Sequence, residues 1–192
     1  IAGGSGFNDL LTLTRDELAY FTEQVMTLGE THDFILFDTG AGLSKETFTF
    51  ITAADETIVV TTPEPTAITD AYALIKMVHM QAPETRFRLV VNRVSSREEG
   101  QQTADKIRLV AQQFLKLDIP LLGTISDDAN VSKSVKRQIP FSSLYPDTAA
   151  ARELKELAKR YCASRTDGAA AERQEESGGV KRFLSRMLRF MK

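Results

Sequence analysis

Three short apolar runs in this chain are each followed by polar residues that could take part in chemistry. Asp38 comes directly after the run 34–37 and opens a short stretch made of Thr39, Gly40, Ala41 and Gly42. A carboxylate at the end of a buried strand is costly unless it holds a partner, and a hydrated Mg²⁺ is a common one. The glycines would let the backbone approach a terminal phosphate. An ordinary strand-to-helix turn capped by Asp38 is the alternative.

The second run ends in residues that suit a purine ring, and the third ends in residues that could cap the next helix or border the same pocket. Asn92 and Arg93 follow the run 87–91, and the run 121–125 is followed by Ser126, Asp127 and Asp128. A side-chain amide pairs with both donors and acceptors of a purine edge, and a guanidinium stacks on a ring. From the local residues alone, a plain turn and a helix cap remain equally open. Because ligands sit at the carboxyl ends of parallel strands, we expect these residues to border one pocket.

The elements that would position these residues alternate between short β-branched runs and helical patterns. Strands are predicted over residues 34–37, 57–60, 87–91 and 121–125; helices are predicted over about 14–28, 45–53, 67–81, 98–117, 129–136 and 148–162. Residues 63–66, which include Glu64 and two prolines, form a predicted rigid loop, with Asp70 in the first turn of the next helix. This order predicts an α/β fold with a mostly parallel sheet and helices on both faces.

Taken in order, these motifs resemble the MinD/ParA type of deviant Walker ATPase. The segments that carry the resemblance are 35–42, 59–66, 90–93 and 123–127. The segment 64–76, preceded by Gly3-Gly-Ser-Gly6, is similar to the flagellar site-determining group called FlhG, FleN or YlxH. The resemblance covers essentially the whole chain and implies the fold of a P-loop ATPase.

The resemblance implies an ATP-driven switch with ATP or ADP and Mg²⁺ as cofactors. Asp38 would be the Walker B acid, acting on Mg²⁺ through water. The nucleotide would be contacted by Thr39, Gly40, Gly42, Asn92, Arg93, Ser126 and Asp127. Glu64 and Asp70 would lie near a dimer or partner face. Implied partners are a second copy of the chain, the flagellar GTPase FlhF and proteins of the flagellar C-ring, and the role would be control of flagellar number and placement.

The sequence departs from that family in two respects. The sequence contains no G-x-x-x-x-G-K-[ST] phosphate loop, and no lysine follows Gly3-Gly-Ser-Gly6. The chain begins with Ile1, so we expect a piece of a longer protein with its phosphate loop upstream, and no ATP hydrolysis by this chain alone. Relatives commonly have proline where this chain has Ser126. That difference argues against the packing of this turn on adenine.

The C-terminal residues 180–192 form an amphipathic pattern with five basic residues and no acid. On a helical wheel the apolar residues share one arc and the basic ones the other, as in helices that lie on anionic membranes. The predicted membrane-contacting residues are Val180, Lys181, Arg182, Phe183, Leu184, Arg186, Met187, Leu188, Arg189, Phe190, Met191 and Lys192. The alternative is a helix docked on its own domain or on a partner. Residues 164–179 read as a flexible linker after an ATPase domain over residues 1–163.

Charge and cysteine content restrict the class of protein. The 192-residue chain has a net charge of −2, so residues 1–179 carry −7 once the five charges of the tail are set aside. An acidic body argues against nucleic acid as its main partner. The single cysteine, Cys162, cannot form an internal disulfide, which favours the cytoplasm. The basic amphipathic tail and the resemblance add reversible binding to the inner face of the cell membrane. The two histidines do not predict a zinc site.

Other function classes remain open from the sequence. A nucleotide-free α/β adaptor would bind membrane and partner proteins without a phosphate loop. A cell-division-site MinD-type ATPase and a ParA-like DNA segregation factor share the main motifs. The residues around Glu64 disfavour the former, and the acidic body with its lipid-type tail disfavours the latter.

Overall fold

The computed structural model describes residues 15–40, 42, 44–166 and 179–190. The elements along the described chain are α1 (Arg15–Thr31), α2 (Lys45–Ala53), β1 (Thr57–Thr61), α3 (Pro65–Gln81), β2 (Phe87–Val94), α4 (Arg97–Leu115), β3 (Leu121–Ser126), α5 (Ala129–Lys136), α6 (Phe141–Leu144), α7 (Ala149–Thr166) and α8 (Gly179–Phe190). The predicted alternation of strands and helices is confirmed from β1 onward. The linker prediction for 164–179 lies mostly outside the described residues, and α7 continues through its first three positions.

The described strands form one parallel sheet in the order β1-β2-β3. Thr57 pairs with Phe87 at the start of β1, and Val91 pairs with Thr124 in the second ladder. The register of β2 against β3 shifts between Asn92 and Val94, so that Arg93 is an extra residue in its strand. The carboxyl ends of the three strands therefore lie at one edge of the sheet, as predicted for a ligand-binding edge.

The main core lies between the sheet and the two helices α3 and α4. Its largest fully buried side chains are Ile75, Leu89, Ile107 and Ile119. Burying each such side chain contributes about 1.5–3 kcal/mol. The opposite face of β3 is covered by α7, whose Ala150 and Ala151 are buried. Helices thus flank the sheet on both faces, which fixes the positions of the strand ends.

The prediction of a buried strand over residues 34–37 is wrong. These residues have no regular secondary structure, and Leu36 is 78% exposed. The apolar run predicted a strand with neighbours on both edges, but no described strand pairs with it. Ile35 and Phe37 instead turn their side chains toward a second apolar cluster formed by helices.

The amphipathic C-terminal pattern does form a helix, and that helix is docked on the body. Phe183, Leu184 and Met187 of α8 are buried against α1, α2 and the segment that precedes Asp38. The rings of Phe37 and Phe183 stack with 4.6 Å between their centroids. The docked alternative is therefore the arrangement seen in this structure. Met191 and Lys192 lie outside the described residues.

Candidate functional site at the carboxyl edge of the sheet

A bulge at the end of β2 shapes the centre of this edge. Arg93 has a backbone φ of +57°, which side chains other than glycine rarely adopt. Its backbone N–H donates to the Asn92 side-chain oxygen at 2.9 Å, which supports this conformation. Bulges re-aim the side chain of the extra residue. Here the guanidinium of Arg93 is directed across the ends of the neighbouring strands.

Arg93 joins the loops that follow all three strands. Its Nη1 lies 3.7 Å from Glu64 Oε1, after β1, and its Nε lies 3.6 Å from Asp127 Oδ1, after β3. All three side chains are more than half exposed, so these pairs contribute little stability. Their importance is geometric, because they bring Glu64 and Asp127 to the two sides of Arg93. The sequence predicts a shared pocket for Asn92, Arg93 and Asp127, but it does not predict the approach of Glu64.

The end of β3 is held by a residue that the sequence reasoning missed. The carboxylate of Glu153, on α7, accepts hydrogen bonds from the Ser126 backbone N–H at 2.7 Å and from Ser126 Oγ at 2.8 Å. Glu153 is 27 positions from Ser126 and sits in a charged helical pattern. No local signal separates it from the solvent-facing acids of the same helix.

A second acid fixes the loop that leads from β2 into α4. Glu99 accepts hydrogen bonds from the Ser95 backbone N–H and from Ser95 Oγ, both at 2.7 Å. These bonds favour the ionised carboxylate and hold the pKa of Glu99 below its usual value, with the backbone bond as the larger cause. The turn after Arg93 is thereby tied to the start of α4.

The structure does not join the predicted phosphate-side residues to this edge. Asp38, Thr39 and Gly40 are exposed and lie in the segment without secondary structure. Asp38 makes no hydrogen bond or ion pair with another described residue. Gly42 has a φ of +93°, which requires glycine, and a Cβ there would meet nothing within 4 Å. Ala41 lies outside the described residues.

The acidic side chains of the described residues do not by themselves form a Mg²⁺ site. Within the described ranges, no group of three or more His, Cys, Asp or Glu side chains could hold a metal ion. Mg²⁺ is commonly bound by one or two carboxylates together with water and substrate phosphates. Asp38 alone is compatible with that arrangement but does not make a metal site without the phosphates.

Glu64 and Asp70 lie on the loop and helix that follow β1. Glu64 is the N-cap residue of α3 and makes no side-chain capping bond, so its carboxylate is available to Arg93. The helix begins at Pro65, two residues earlier than predicted, because proline is well suited to a first helical position. Asp70 is therefore exposed in the second turn and not in the first, where it would have compensated the helix dipole.

The docked tail also forms polar contacts with the body. Arg186 Nη1 donates to the Ala54 carbonyl at 3.2 Å, beyond the end of α2, and lies 3.6 Å from Asp55 Oδ1. Arg182 Nη2 is 4.0 Å from the same carboxylate oxygen. A cation at a helix C-terminus is favoured by the helix dipole. None of the described helices is long and apolar enough to cross a membrane.

The fold and this edge define a class of protein. The chain superposes on the Pyrococcus horikoshii septum site-determining protein MinD complexed with Mg-ADP, with a TM-score of 0.58 and 23% identity. That match covers 75% of this chain and 56% of the MinD chain. At this identity the match shows the fold, which is that of the MinD-type P-loop ATPases.

A family model and two curated relatives give the assignment within that class. The model described as "Cellulose biosynthesis protein BcsQ" matches residues 6–162. The antiactivator FleN of Pseudomonas aeruginosa is 31% identical over 83% of this chain and 57% of its own length. The flagellum site-determining protein YlxH of Helicobacter pylori is 31% identical over 83% of this chain and 53% of its own length. The chain belongs to the MinD/ParA family.

Proposed function

We propose that this chain is part of an ATP-dependent switch that controls flagellar number and placement. The observation that carries this proposal is the joined edge of the sheet, where Arg93 links the ends of β1, β2 and β3. The flagellar role is supported by the similarity to FleN and YlxH. The chain spans about half the length of these relatives, 57% and 53%, so the activity of the whole protein is proposed.

In this proposal the carboxyl edge of β2 and β3 takes the adenine of ATP or ADP. The Asn92 side-chain oxygen already accepts the Arg93 N–H, which leaves its amide N–H groups free to donate to a ring nitrogen. Arg93, Ser126 and Asp127 would border the ring. The positive φ at Arg93 is strain of the kind that is found at ligand-binding positions.

The phosphate side of the site would be completed outside the described edge. Asp38 would hold Mg²⁺ through water, and Thr39, Gly40 and Gly42 would approach the terminal phosphate. When bound, ATP with Mg²⁺ supplies the phosphate that distinguishes the two states of the switch. Residues of this chain orient and sense that phosphate. The freedom of Gly42, with its φ of +93°, suits a segment that changes conformation.

The tail would connect that switch to the inner face of the membrane. In the structure, the apolar face of α8 is buried against α1 and α2, with Met187 0% exposed. The same face cannot enter a lipid surface while it is docked. Binding of ATP and formation of a homodimer would release it, and the two tails of a dimer would add their weak affinities. FlhF and C-ring proteins are proposed partners, with Glu64 and Asp70 on the face they would use.

The first test is co-sedimentation with anionic vesicles. The protein would be this chain together with any residues that its gene encodes before Ile1, with ATP or ADP, with and without residues 180–192. We expect tail-dependent binding that is stronger in ATP and falls with salt. Asp38→Ala should leave the fold intact and remove the difference between the nucleotides.

Other results would change the proposal in defined ways. Tail-dependent binding that ignores the nucleotide would favour a nucleotide-free adaptor. An absence of binding under both conditions would mean that α8 is a permanent part of the body. Undiminished ATP turnover in Asp38→Ala would refute the Mg²⁺ role of Asp38.

A further inference from the structure

We propose that Glu153 is a positioning residue that holds the β3 end of the nucleotide edge in place from α7. This inference rests on the proposed function, because the edge must bind a nucleotide for its position to matter. Glu153 lies on α7, outside the strand-end motifs described above. The carboxylate of Glu153 would touch no nucleotide atom and would act through Ser126.

The contact between Glu153 and Ser126 is well defined. The Ser126 N–H donates to one carboxylate oxygen at 2.7 Å, and the Ser126 hydroxyl donates to the other at 2.8 Å. Both residues are half-buried. Hydrogen bonds to a carboxylate are shorter and stronger than neutral ones, and two of them fix the direction of the group they hold. The backbone at Ser126 is therefore held in place as well as its side chain.

The helix that carries Glu153 is itself firmly packed on the sheet. Ala150 and Ala151, one turn or less before Glu153, are buried at 0% and 5% exposure. One turn after Glu153, Leu157 covers Gly123 of β3, where an added Cβ would lie 3.5 Å from Leu157 Cδ1. An acid that is held by packed residues before and after it on a rigid helix can fix the position of the loop that it contacts.

The loop that Glu153 holds contains the residues that complete the joined edge. Asp127, the next residue, donates its N–H to the Val94 carbonyl at 2.9 Å and pairs with Arg93. Ser126 is also paired with Val94 in the ladder across the bulge. A displacement of Ser126 would therefore move Asp127, and with it the guanidinium of Arg93 that Asp127 pairs with. Proline at position 126 has no N–H and could not make the backbone bond to Glu153.

The test compares variants at Glu153, Glu156 and Ser126 in the same protein as in the vesicle experiment. Glu153→Ala removes both acceptors, whereas Glu153→Gln can accept the Ser126 N–H and donate to Ser126 Oγ. Glu156→Ala is the matched control, since it removes an exposed acid of α7 that pairs with Lys159 at 2.9 Å. Two readouts are taken: hydrogen exchange of the Ser126 amide, and the dissociation constant of the fluorescent nucleotide mant-ATP.

We expect Glu153→Ala to speed exchange at Ser126 and to weaken mant-ATP binding about tenfold, the lower end of the loss seen when hydrogen-bonded supports of metal ligands are removed. Glu153→Gln and Glu156→Ala should stay near the parent protein in both readouts. Ser126→Ala, which removes only the hydroxyl bond and leaves α7 unchanged, should give a smaller weakening. It keeps the inference testable if Glu153→Ala does not fold.

Three outcomes would overturn the inference. Unchanged exchange at Ser126 in Glu153→Ala would mean that the two hydrogen bonds do not hold the loop in solution. Faster exchange with unchanged mant-ATP affinity would mean that the contact is structural only. A parent protein that does not bind mant-ATP would refute the proposed function, and the positioning role would fall with it, whatever the exchange data show.

Discussion

At the scale of single residues, the sequence predicts those residues of the candidate site that come at the ends of strands. Asn92, Arg93 and Asp127 could be found because each follows an apolar run, and the carboxyl ends of parallel strands meet at one edge. The link from Arg93 to Glu64 could not be predicted, since it depends on a bulge that turns one side chain. Glu153 could not be found either, because it approaches Ser126 only through the packing of α7.

The positive φ of Arg93 predicts a difference between two small replacements. Arg93→Gly and Arg93→Ala both remove the guanidinium, so the difference between them reports on the backbone. A non-glycine residue in the left-handed region costs about 1 kcal/mol. We expect Arg93→Gly to have a free energy of unfolding about 1 kcal/mol above that of Arg93→Ala, measured by urea denaturation.

A matched pair at Lys116 serves as the control. Lys116 ends α4 with a φ of +55° and lies outside the proposed nucleotide edge. The same advantage of glycine over alanine is expected there. If the Arg93 pair shows no such difference while the Lys116 pair does, the bulge conformation of Arg93 does not persist in solution.

At the scale of elements, periodicity gave the helices and three strands but not the partners of each element. Residues 34–37 are as apolar as β1, yet they form no strand, because a strand needs a neighbour to satisfy its backbone groups. The C-terminal pattern correctly predicted an amphipathic helix. It could not distinguish a lipid surface from α1 and α2, because both offer an apolar surface to the same face.

The docking of α8 depends on a glycine in α1. A Cβ at Gly29 would overlap Val180 Cγ2, and valine has little freedom to move away. We expect Gly29→Ala to weaken the docking of α8 by about 1–3 kcal/mol, the usual cost of overpacking. Trypsin cleavage after the exposed residues Lys181 and Arg182 should therefore become faster.

The double variant Gly29→Ala with Val180→Ala tests whether the effect is steric. Removing the valine methyl groups leaves the nearest remaining atom, Val180 Cβ, at 3.3 Å from the new Cβ, so docking should recover. If the double variant is cleaved as fast as Gly29→Ala, the glycine is needed for a reason other than this contact.

At the scale of the whole molecule, the acidic body and the basic tail are attracted to each other. Asp55 supplies the carboxylate that faces both Arg182 and Arg186, and it is 28% exposed. The basic residues of the tail therefore have two competing partners, the body and an anionic membrane. A charge reversal at Arg182 and Arg186 would disturb the contact of the tail with the body and its contact with the membrane. A change on the body is therefore needed to separate these two interactions.

Asp55→Asn changes the body and leaves the tail intact. A partly exposed ion pair contributes about 0.2–1 kcal/mol, which corresponds to at most about a fivefold change in the docked equilibrium. We expect binding to anionic vesicles to rise by up to that factor at low salt. Asp105→Asn is the control, since it removes the same charge from the surface of α4, where Asp105 pairs with Arg108. Equal binding by the two variants would contradict a role of Asp55 in holding the tail.

The position of β1 at the edge of the described sheet has a practical consequence for work on this chain. Val60 of β1 is 60% exposed, and the unpaired residue Leu36 is 78% exposed. An uncovered strand edge beside apolar side chains is a template for pairing with another chain and for aggregation. Self-association of the purified chain would therefore not by itself be evidence of the proposed homodimer. Only an oligomer that forms with ATP and dissociates with ADP would distinguish regulated assembly from adhesion between exposed edges.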